Sequence, residues 1–281
     1  MAGSQVHAGR VGIVTGGASG IGRSTALLLA SQGAKVCVAD LDLEAAEGVA
    51  KEIGAAGGEA FAHSLDVASP EQNDAAVEAV VARFGALHLA YLNAGVARQS
   101  SVLGGDIDIW DRVVAINLSG VYYGMHSSAK AIVEAGGGAI VATASIAGMT
   151  GGRGMPSYFA TKHGVIGLVR AGAAELTRHG VRVNAVCPGV IDTPILGANH
   201  GKPEIADDVL GQGHLFGRCG RPEEVARVVS FLLSDDAGFV TAAAWPVDGG
   251  LTGAPGGPGS EEADAFMKQI QGEFSAGSKA F

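Results

Sequence analysis

Short apolar runs, rich in β-branched residues, alternate along this chain with longer stretches in which apolar positions recur every three or four residues. VGIVTG (Val11–Gly16), KVCVAD (Lys35–Asp40), EAFAHSLDV (Glu59–Val67), LHLAYLNAG (Leu87–Gly95), AIVATAS (Ala139–Ser145) and VRVNAVCPG (Val181–Gly189) each read as a strand. Helical patterns fill the intervals: Ile21–Gln32, Leu43–Ala56, about Pro70 to Phe84, about Ile107 to Glu134, and Met155–His179, with another at Glu223–Leu233. Ser69-Pro70-Glu71 has the form of an N-cap, a first-turn proline and an acidic first turn. AAAWPVDGG (Ala242–Gly250) is a candidate seventh strand. Pro246 within it has no N–H to donate to a ladder, which places that strand at a sheet edge.

Such regular alternation predicts the α/β class: a Rossmann-type, doubly wound parallel sheet of about seven strands with right-handed crossovers and helices on both faces. Ligands of these sheets bind beyond the carboxyl ends of the strands. No linker or repeat divides the chain, so residues 1–252 are expected to form one domain. Its least regular part, about 193–220, is expected to form a substrate lid. Residues 253–281 are expected to be a tail that opens on GAPGGPG and then forms a short helix, Glu261–Gln271.

Composition narrows the function classes. Of 281 residues 47% are hydrophobic, ample for a core, and the 45 glycines follow no Gly-X-Y period. Nineteen Lys and Arg against 28 Asp and Glu give a net charge of −9, with no basic block. Nucleic acid and anionic membrane are therefore not expected partners. Cys37, Cys187 and Cys219 form no CxxC and leave an odd count, which fits reduced thiols in a cytoplasmic protein. The polar start MAGSQVHAGR has no signal-peptide pattern, and no apolar run reaches the ~18 residues of a spanning helix. His200 and His214 have no ligand partners at metal spacing, so no metal is expected.

The chemistry gathers at the expected strand ends. TGGASGIG (Thr15–Gly22) joins the first strand to the first helix. Gly16, Gly20 and Gly22 allow a tight turn and close approach of a pyrophosphate, which the helix N-terminus favours electrostatically. Asp40 ends the second strand eighteen positions after Gly22, where a carboxylate accepts hydrogen bonds from the adenosine ribose hydroxyls and repels a 2′-phosphate. No Lys or Arg stands at Gly17–Ser19 or directly after Asp40, where Leu41 follows, so NAD is expected rather than NADP. Asp66 is a candidate acceptor for the adenine amino group, a loop aspartate being the other reading. Asn93-Ala94-Gly95 supplies small residues where the cofactor needs room.

Ser145 ends the fifth strand, and Tyr158 and Lys162 stand four apart in the helical pattern that follows, hence on one helix face. With TGGASGIG, Asp66, Asn93-Ala94-Gly95, Asn117, Pro188-Gly189, Thr193 and VDGG at 247–250, these residues resemble the short-chain dehydrogenase/reductase family over about Arg10–Leu251. Leu92 stands where many members carry a second asparagine, and the tail after VDGG is longer than usual.

The resemblance implies an oxidoreductase that interconverts a secondary alcohol and a ketone with NAD. Tyr158 is then the general acid/base, Ser145 hydrogen-bonds the reacting oxygen, Lys162 together with the positive nicotinamide lowers the phenol pKa while Lys162 binds the nicotinamide ribose, and Asn117 holds a relay water. Ser19, Ile21, Leu41, Val67, Ile191 and Thr193 join the residues above, with Pro188 and Gly189, as cofactor contacts. The pocket is expected near Val96, Ile146–Met149, Arg153–Met155 and Ile195–His200, mostly small or apolar, for a hydrophobic small molecule. The family also implies a homo-oligomer, commonly a tetramer. A 3-oxoacyl-thioester reductase is the alternative enzyme, and an NAD-sensing binding protein the alternative outside catalysis. His163 is expected to face away from the site, since adjacent helix residues point about 100° apart. Arg98 reads as a solvated loop arginine or a contact for an acidic substrate.

Overall fold

Seven strands form one parallel sheet: β1 (Val11–Thr15), β2 (Lys35–Asp40), β3 (Glu59–Ser64), β4 (Leu89–Leu92), β5 (Gly138–Thr143), β6 (Val181–Pro188) and β7 (Ala244–Val247). Their order is β3-β2-β1-β4-β5-β6-β7, so the strand order reverses between β1 and β4. The computed structural model describes residues 5–196 and 211–254. The expected helix at Glu261–Gln271 and residues 197–210 of the expected lid lie outside the described residues. β7 is the edge strand, as Pro246 requires.

Helices cover both faces: α1 (Gly20–Ser31), α2 (Leu43–Ala55), α3 (Pro70–Phe84), α4 (Ile107–Val114), α5 (Gly120–Glu134), α6 (Pro156–Leu176) and α7 (Pro222–Leu233). Strand side chains alternate between the two faces. Ile13 and Cys37 therefore belong to the core cluster shared with α3, α5 and α6, while Val14 and Val38 belong to the one shared with α1, α2 and α7. Leu29, Ile53 and Leu232 are at most 2% exposed. Burying such a side chain contributes about 1.5–3 kcal/mol.

Local chemistry sets the ends of the elements. Ser69 Oγ accepts from Gln72 N–H at 3.2 Å, and Gly85 closes α3 in the left-handed region. Asp42 caps α2 through Ala45 N–H at 3.0 Å. β3 stops at Ser64, short of the expected Val67, because Asp66 Oδ1 turns back to accept from Ala68 N–H at 3.0 Å. β4 is likewise shorter than expected. The N–H groups of Asn93 and Ala94 go to the side-chain Oγ1 of Thr15, at 3.0 and 3.2 Å, and not to a backbone carbonyl of the neighbouring strand.

Between α4 and α5 the helix widens into a π turn, Ala115–Ser119, and carries on. Its extra residue re-aims side chains, and such turns are frequent at functional sites. Here it turns Asn117 fully inward.

At the opposite end of the sheet two histidines are held neutral. His7 Nε2 donates to Ser230 Oγ at 3.0 Å, the Ser230 proton being committed to Gln32 Oε1 at 2.6 Å. His88 Nδ1 accepts from Val11 N–H at 3.1 Å. Burial lowers both pKa values below the ordinary 6.5, with Arg10 adding to the shift. The unfolded chain therefore takes up protons before the folded one as pH falls below 6.5, and folding stability declines in that window. Thermal melts should show a Tm that falls from pH 7 to pH 5, and His88→Asn should flatten part of that fall. An unchanged slope would remove His88 from the explanation.

Candidate active site

The glycine turn after β1 is built for close approach. Gly16 has φ +63, and a Cβ there would lie 2.9 Å from Ala94 Cα. A Cβ on Gly22 would run into the Gly16 carbonyl, so that glycine lets α1 start directly beneath the turn. Asp40 braces the turn from the side. Its Oδ2 accepts from Ala18 N–H at 3.0 Å and its Oδ1 from Asp42 N–H at 3.1 Å. Asn93 ties the same turn to β4, its Nδ2 donating to the carbonyls of Thr15 and Gly16 at 3.2 and 3.3 Å.

These residues open on a cavity of about 820 Å³ along the carboxyl ends of β1, β2, β4, β5 and β6. One end is lined by Gly16, Ser19, Gly20, Ile21, Asp40, Leu41, Asp66 and Val67. The middle and far wall carry Asn93, Ala94, Gly95, Ser145, Tyr158, Lys162, Pro188, Gly189, Ile191 and Thr193. Of the expected site residues only Gly22 and Asn117 stay out of the lining. Their positions are consistent with support: Gly22 packs under the turn, and Asn117 packs behind Gly95, whose added Cβ would meet Asn117 Oδ1 at 3.3 Å and Lys162 Nζ at 3.6 Å.

Ser145 leaves β5 and its Oγ accepts from Ala147 N–H at 3.1 Å, opening a short 3₁₀ turn, Ile146–Gly148. That turn rests on α6, and Gly148 permits it: a Cβ would come within 2.6 Å of the Lys162 carbonyl. The serine is thereby held over the first turns of α6, which carry Tyr158 and Lys162. Lys162 Nζ lies 5.5 Å from the Tyr158 ring centre and donates to the Thr143 carbonyl at 2.8 Å. A serine, a phenol and an ammonium thus share one wall of a cavity whose other end is fit for a dinucleotide.

A family model described as Enoyl-(Acyl carrier protein) reductase matches residues 16–252. The chain belongs to the short-chain dehydrogenase/reductase family. It is 50% identical to the cyclohexanol dehydrogenase of Acinetobacter sp. (strain SE19), over 86% of this chain and 95% of that one. It is 40% identical to the cis-4-hydroxycyclohexanecarboxylate dehydrogenase of Sinomonas cyclohexanicum, over 88% of this chain and 98% of that one. Among solved structures, levodione reductase superposes with a TM-score of 0.81 at 38% identity, covering 88% of this chain and 99% of that one. The protein is therefore an oxidoreductase of secondary alcohols and ketones that depends on a nicotinamide nucleotide.

In this short-chain dehydrogenase/reductase the electrostatics differ from the expectation in one respect. Burial pushes the Tyr158 phenol above its ordinary value, and hydrogen bonding by Ser145 only opposes that rise. Lys162 is itself desolvated and pushed down to about 8. In the free protein, taking a phenolate out of water outweighs the Ser145 hydrogen bond. A positive nicotinamide ring bound beside the phenol would add to the Ser145 hydrogen bond in favouring the phenolate.

Asn117 is a helix-interior polar residue bonded to backbone, and the contribution of Thr143 was not foreseen. Both polar atoms of the Asn117 side chain are taken by Val96: Oδ1 accepts from its N–H at 2.9 Å, and Nδ2 donates to its carbonyl at 2.8 Å. Asn117 thus clamps the loop after β4. Thr143 supplies the Lys162 acceptor, and its Oγ1 lies 2.7 Å from Tyr91 Oη and 3.1 Å from Asn93 Oδ1. Its place two residues before Ser145 at the end of β5 was the available signal.

His214 is not a surface residue of a lid. It is 2% exposed, and its Nε2 accepts from Val190 N–H at 3.2 Å while Nδ1 faces the Gly211 carbonyl at 3.2 Å. It fastens the loop after β6 to the return of the 193–220 segment. His163 is exposed, with Nδ1 2.9 Å from the Phe159 carbonyl, and stays outside the cavity as expected. Thr193 Oγ1 donates to the Ile191 carbonyl at 3.2 Å while its methyl lies over Gly20. At the far end the cavity takes in Val96, Ile146, Ala147, Met155 and Ile195, as expected, and also Thr150 and Phe159. Met149 is 43% exposed and lies off the lining. Trp110 and Tyr122 are exposed and lie off the cavity lining. Among the described residues there is no group of side chains that could hold a metal ion, and no helix long and apolar enough to cross a membrane.

Proposed function

We propose that the chain uses NAD(H) in preference to NADP(H) and oxidises a cyclic or otherwise hydrophobic secondary alcohol to its ketone, with the reverse reduction at the same site. The observation that carries this reading is the shared cavity, with Asp40 at one end and Ser145, Tyr158 and Lys162 on the far wall. The turn, where Gly16 and Gly22 leave no room for a Cβ, fits a pyrophosphate, and the Asp40 carboxylate fits a ribose diol but not a 2′-phosphate. Gly16, Ser19, Gly20, Ile21, Asp40, Leu41, Asp66, Val67, Asn93, Ala94, Gly95, Pro188, Gly189, Ile191 and Thr193 would hold the dinucleotide. NAD, when bound, accepts the hydride from the carbinol carbon. Tyr158, as phenolate, takes the hydroxyl proton during oxidation and returns it to the carbonyl oxygen during reduction. Ser145 donates to the same oxygen and stabilises its partial charge. Lys162 holds the nicotinamide ribose, and Asn117 fixes the loop beside it, within reach of a relay water.

Residues 1–252 act as one catalytic domain in this proposal, with the 193–220 segment as its lid and 253–281 as a tail. The protein works in the cytoplasm as a homotetramer, and light scattering would read that assembly. A panel of cyclic secondary alcohols, followed by NADH absorbance with NADP as control, tests the function. Turnover with NAD on at least one cyclic alcohol is expected. NADP preference across the panel, or no turnover at all, would overturn the reading.

A further inference from the structure

The substrate end of the cavity carries a charge pattern that a neutral alcohol does not use. Both acids that line the cavity, Asp40 and Asp66, lie at the adenosine end, where Arg112 Nη1 stands 3.8 Å from Asp66 Oδ2. At the substrate end the lining holds Arg98 and Arg153 and no carboxylate. Their loops are joined, since Ser100 N–H donates to the Gly154 carbonyl at 2.8 Å, and both arginines line the cavity from this joined segment. Arg98 is oriented by a hydrogen bond from Nη1 to the Ala97 carbonyl at 2.9 Å, which leaves Nη2 and Nε to face the cavity or solvent. Neither arginine forms an ion pair among the described residues, whereas Arg10, Arg23, Arg112 and Arg218 all do. In a chain of net charge −9, two unpaired guanidiniums on one cavity wall are a local concentration of positive charge. Guanidinium forks match planar carboxylates.

We propose that Arg98 and Arg153 form an anion subsite, and that the preferred substrate is a cyclic secondary alcohol or ketone bearing a carboxylate remote from the reacting carbon. The hydroxyl sits against Tyr158 and Ser145, the ring against Val96, Met155 and Phe159, and the carboxylate against the two arginines. This rests on the alcohol-oxidising reading above and adds the substituent that the site selects.

The test compares cyclohexanol with 4-hydroxycyclohexanecarboxylate, both with NAD, in the full-length wild type and in Arg98→Gln and Arg153→Gln. The wild type should favour the carboxylate by at least about tenfold in kcat/KM, the scale of a charge-assisted hydrogen bond. Each glutamine variant should lower that ratio severalfold, through KM more than kcat, and Arg153→Lys should restore part of it. Calorimetric binding of 4-oxocyclohexanecarboxylate should weaken in the same variants, a reading independent of turnover. Equal use of the two alcohols by the wild type, or a ratio unmoved by both glutamine variants, overturns the anion subsite but leaves the dehydrogenase reading intact. If the wild type oxidises neither alcohol and calorimetry still finds arginine-dependent ketone binding, the subsite stands and the reaction assignment fails. A wild type that prefers a 3-hydroxyacyl-coenzyme A to both alcohols, with that preference lost in the arginine variants, would assign the positive wall to a phosphate and overturn the carboxylate.

Discussion

Replacing Tyr158 with phenylalanine should lower turnover by about three orders of magnitude or more while leaving dinucleotide affinity within about twofold, given the ~10²–10⁴-fold that a positioned general acid/base contributes. The substitution deletes one oxygen and keeps the ring that packs in the first turn of α6, so the site should hold its shape. The phenol is the group on this wall that can both take and return a proton near the Ser145 hydroxyl. Pre-steady-state hydride transfer should fall with kcat, and fluorescence titration should show NADH still bound.

The wild-type pH profile should run in opposite senses for the two directions. Burial works against the phenolate, so alcohol oxidation, which needs it, should quicken as pH rises toward the phenol pKa of the coenzyme complex. Ketone reduction, which needs the phenol proton, should slow over the same range. Lys162, pushed down to about 8, loses its charge within that window, which should blunt the gain in oxidation at the alkaline end. Profiles of the same sense in both directions would contradict Tyr158 as the shared proton carrier.

Asp40→Ala should produce the second large effect, a change of coenzyme. Asp40 offers a carboxylate at the end of β2 and also receives the N–H groups of Ala18 and Asp42. Losing a charged acceptor for a ribose hydroxyl costs about 1.5–3 kcal/mol, or roughly 10- to 150-fold in kcat/KM with NAD. Repulsion of a 2′-phosphate disappears at the same time, so NADP should improve. The NAD-to-NADP ratio of kcat/KM should fall by about two orders of magnitude from both terms together. Asp40→Asn keeps an acceptor for Ala18 N–H and removes only the charge, so it should mainly raise NADP use. An unchanged ratio in both variants would place coenzyme selection elsewhere.

Much of this was legible in the amino-acid order. β2 and α3 end at the expected residues, because each is bounded by a local signal: Lys35 and Asp40 flank an apolar run, and Ser69-Pro70 and Gly85 cap a helix. The edge position of β7 follows from Pro246 alone. What escaped depends on contacts distant in the chain. β4 ends early because Thr15, 78 positions away, takes the Asn93 N–H. The π turn at Ala115–Ser119 leaves no mark in a periodicity that continues on either side. His214 looked like a loop histidine because its partners, Val190 and Gly211, are met only after β6 and the returning segment close on each other. The rise in the Tyr158 pKa was hidden for the same reason, since helix spacing reveals the neighbouring lysine but not the burial of the phenol. Arg98 and Arg153, 55 positions apart, line one cavity on loops joined by the hydrogen bond of Ser100 to Gly154.

A tyrosinate titration in the near ultraviolet, run with and without saturating NAD, tests the central claim most directly. Tyr91 is buried and its phenol is pushed well above the ordinary range, so it should stay silent. In the wild type NAD should lower the apparent pKa of one tyrosine, and that component should vanish in Tyr158→Phe. A titration that NAD leaves unmoved, or an NAD-linked tyrosinate that persists in Tyr158→Phe, would contradict the proposal that bound coenzyme turns Tyr158 into the base.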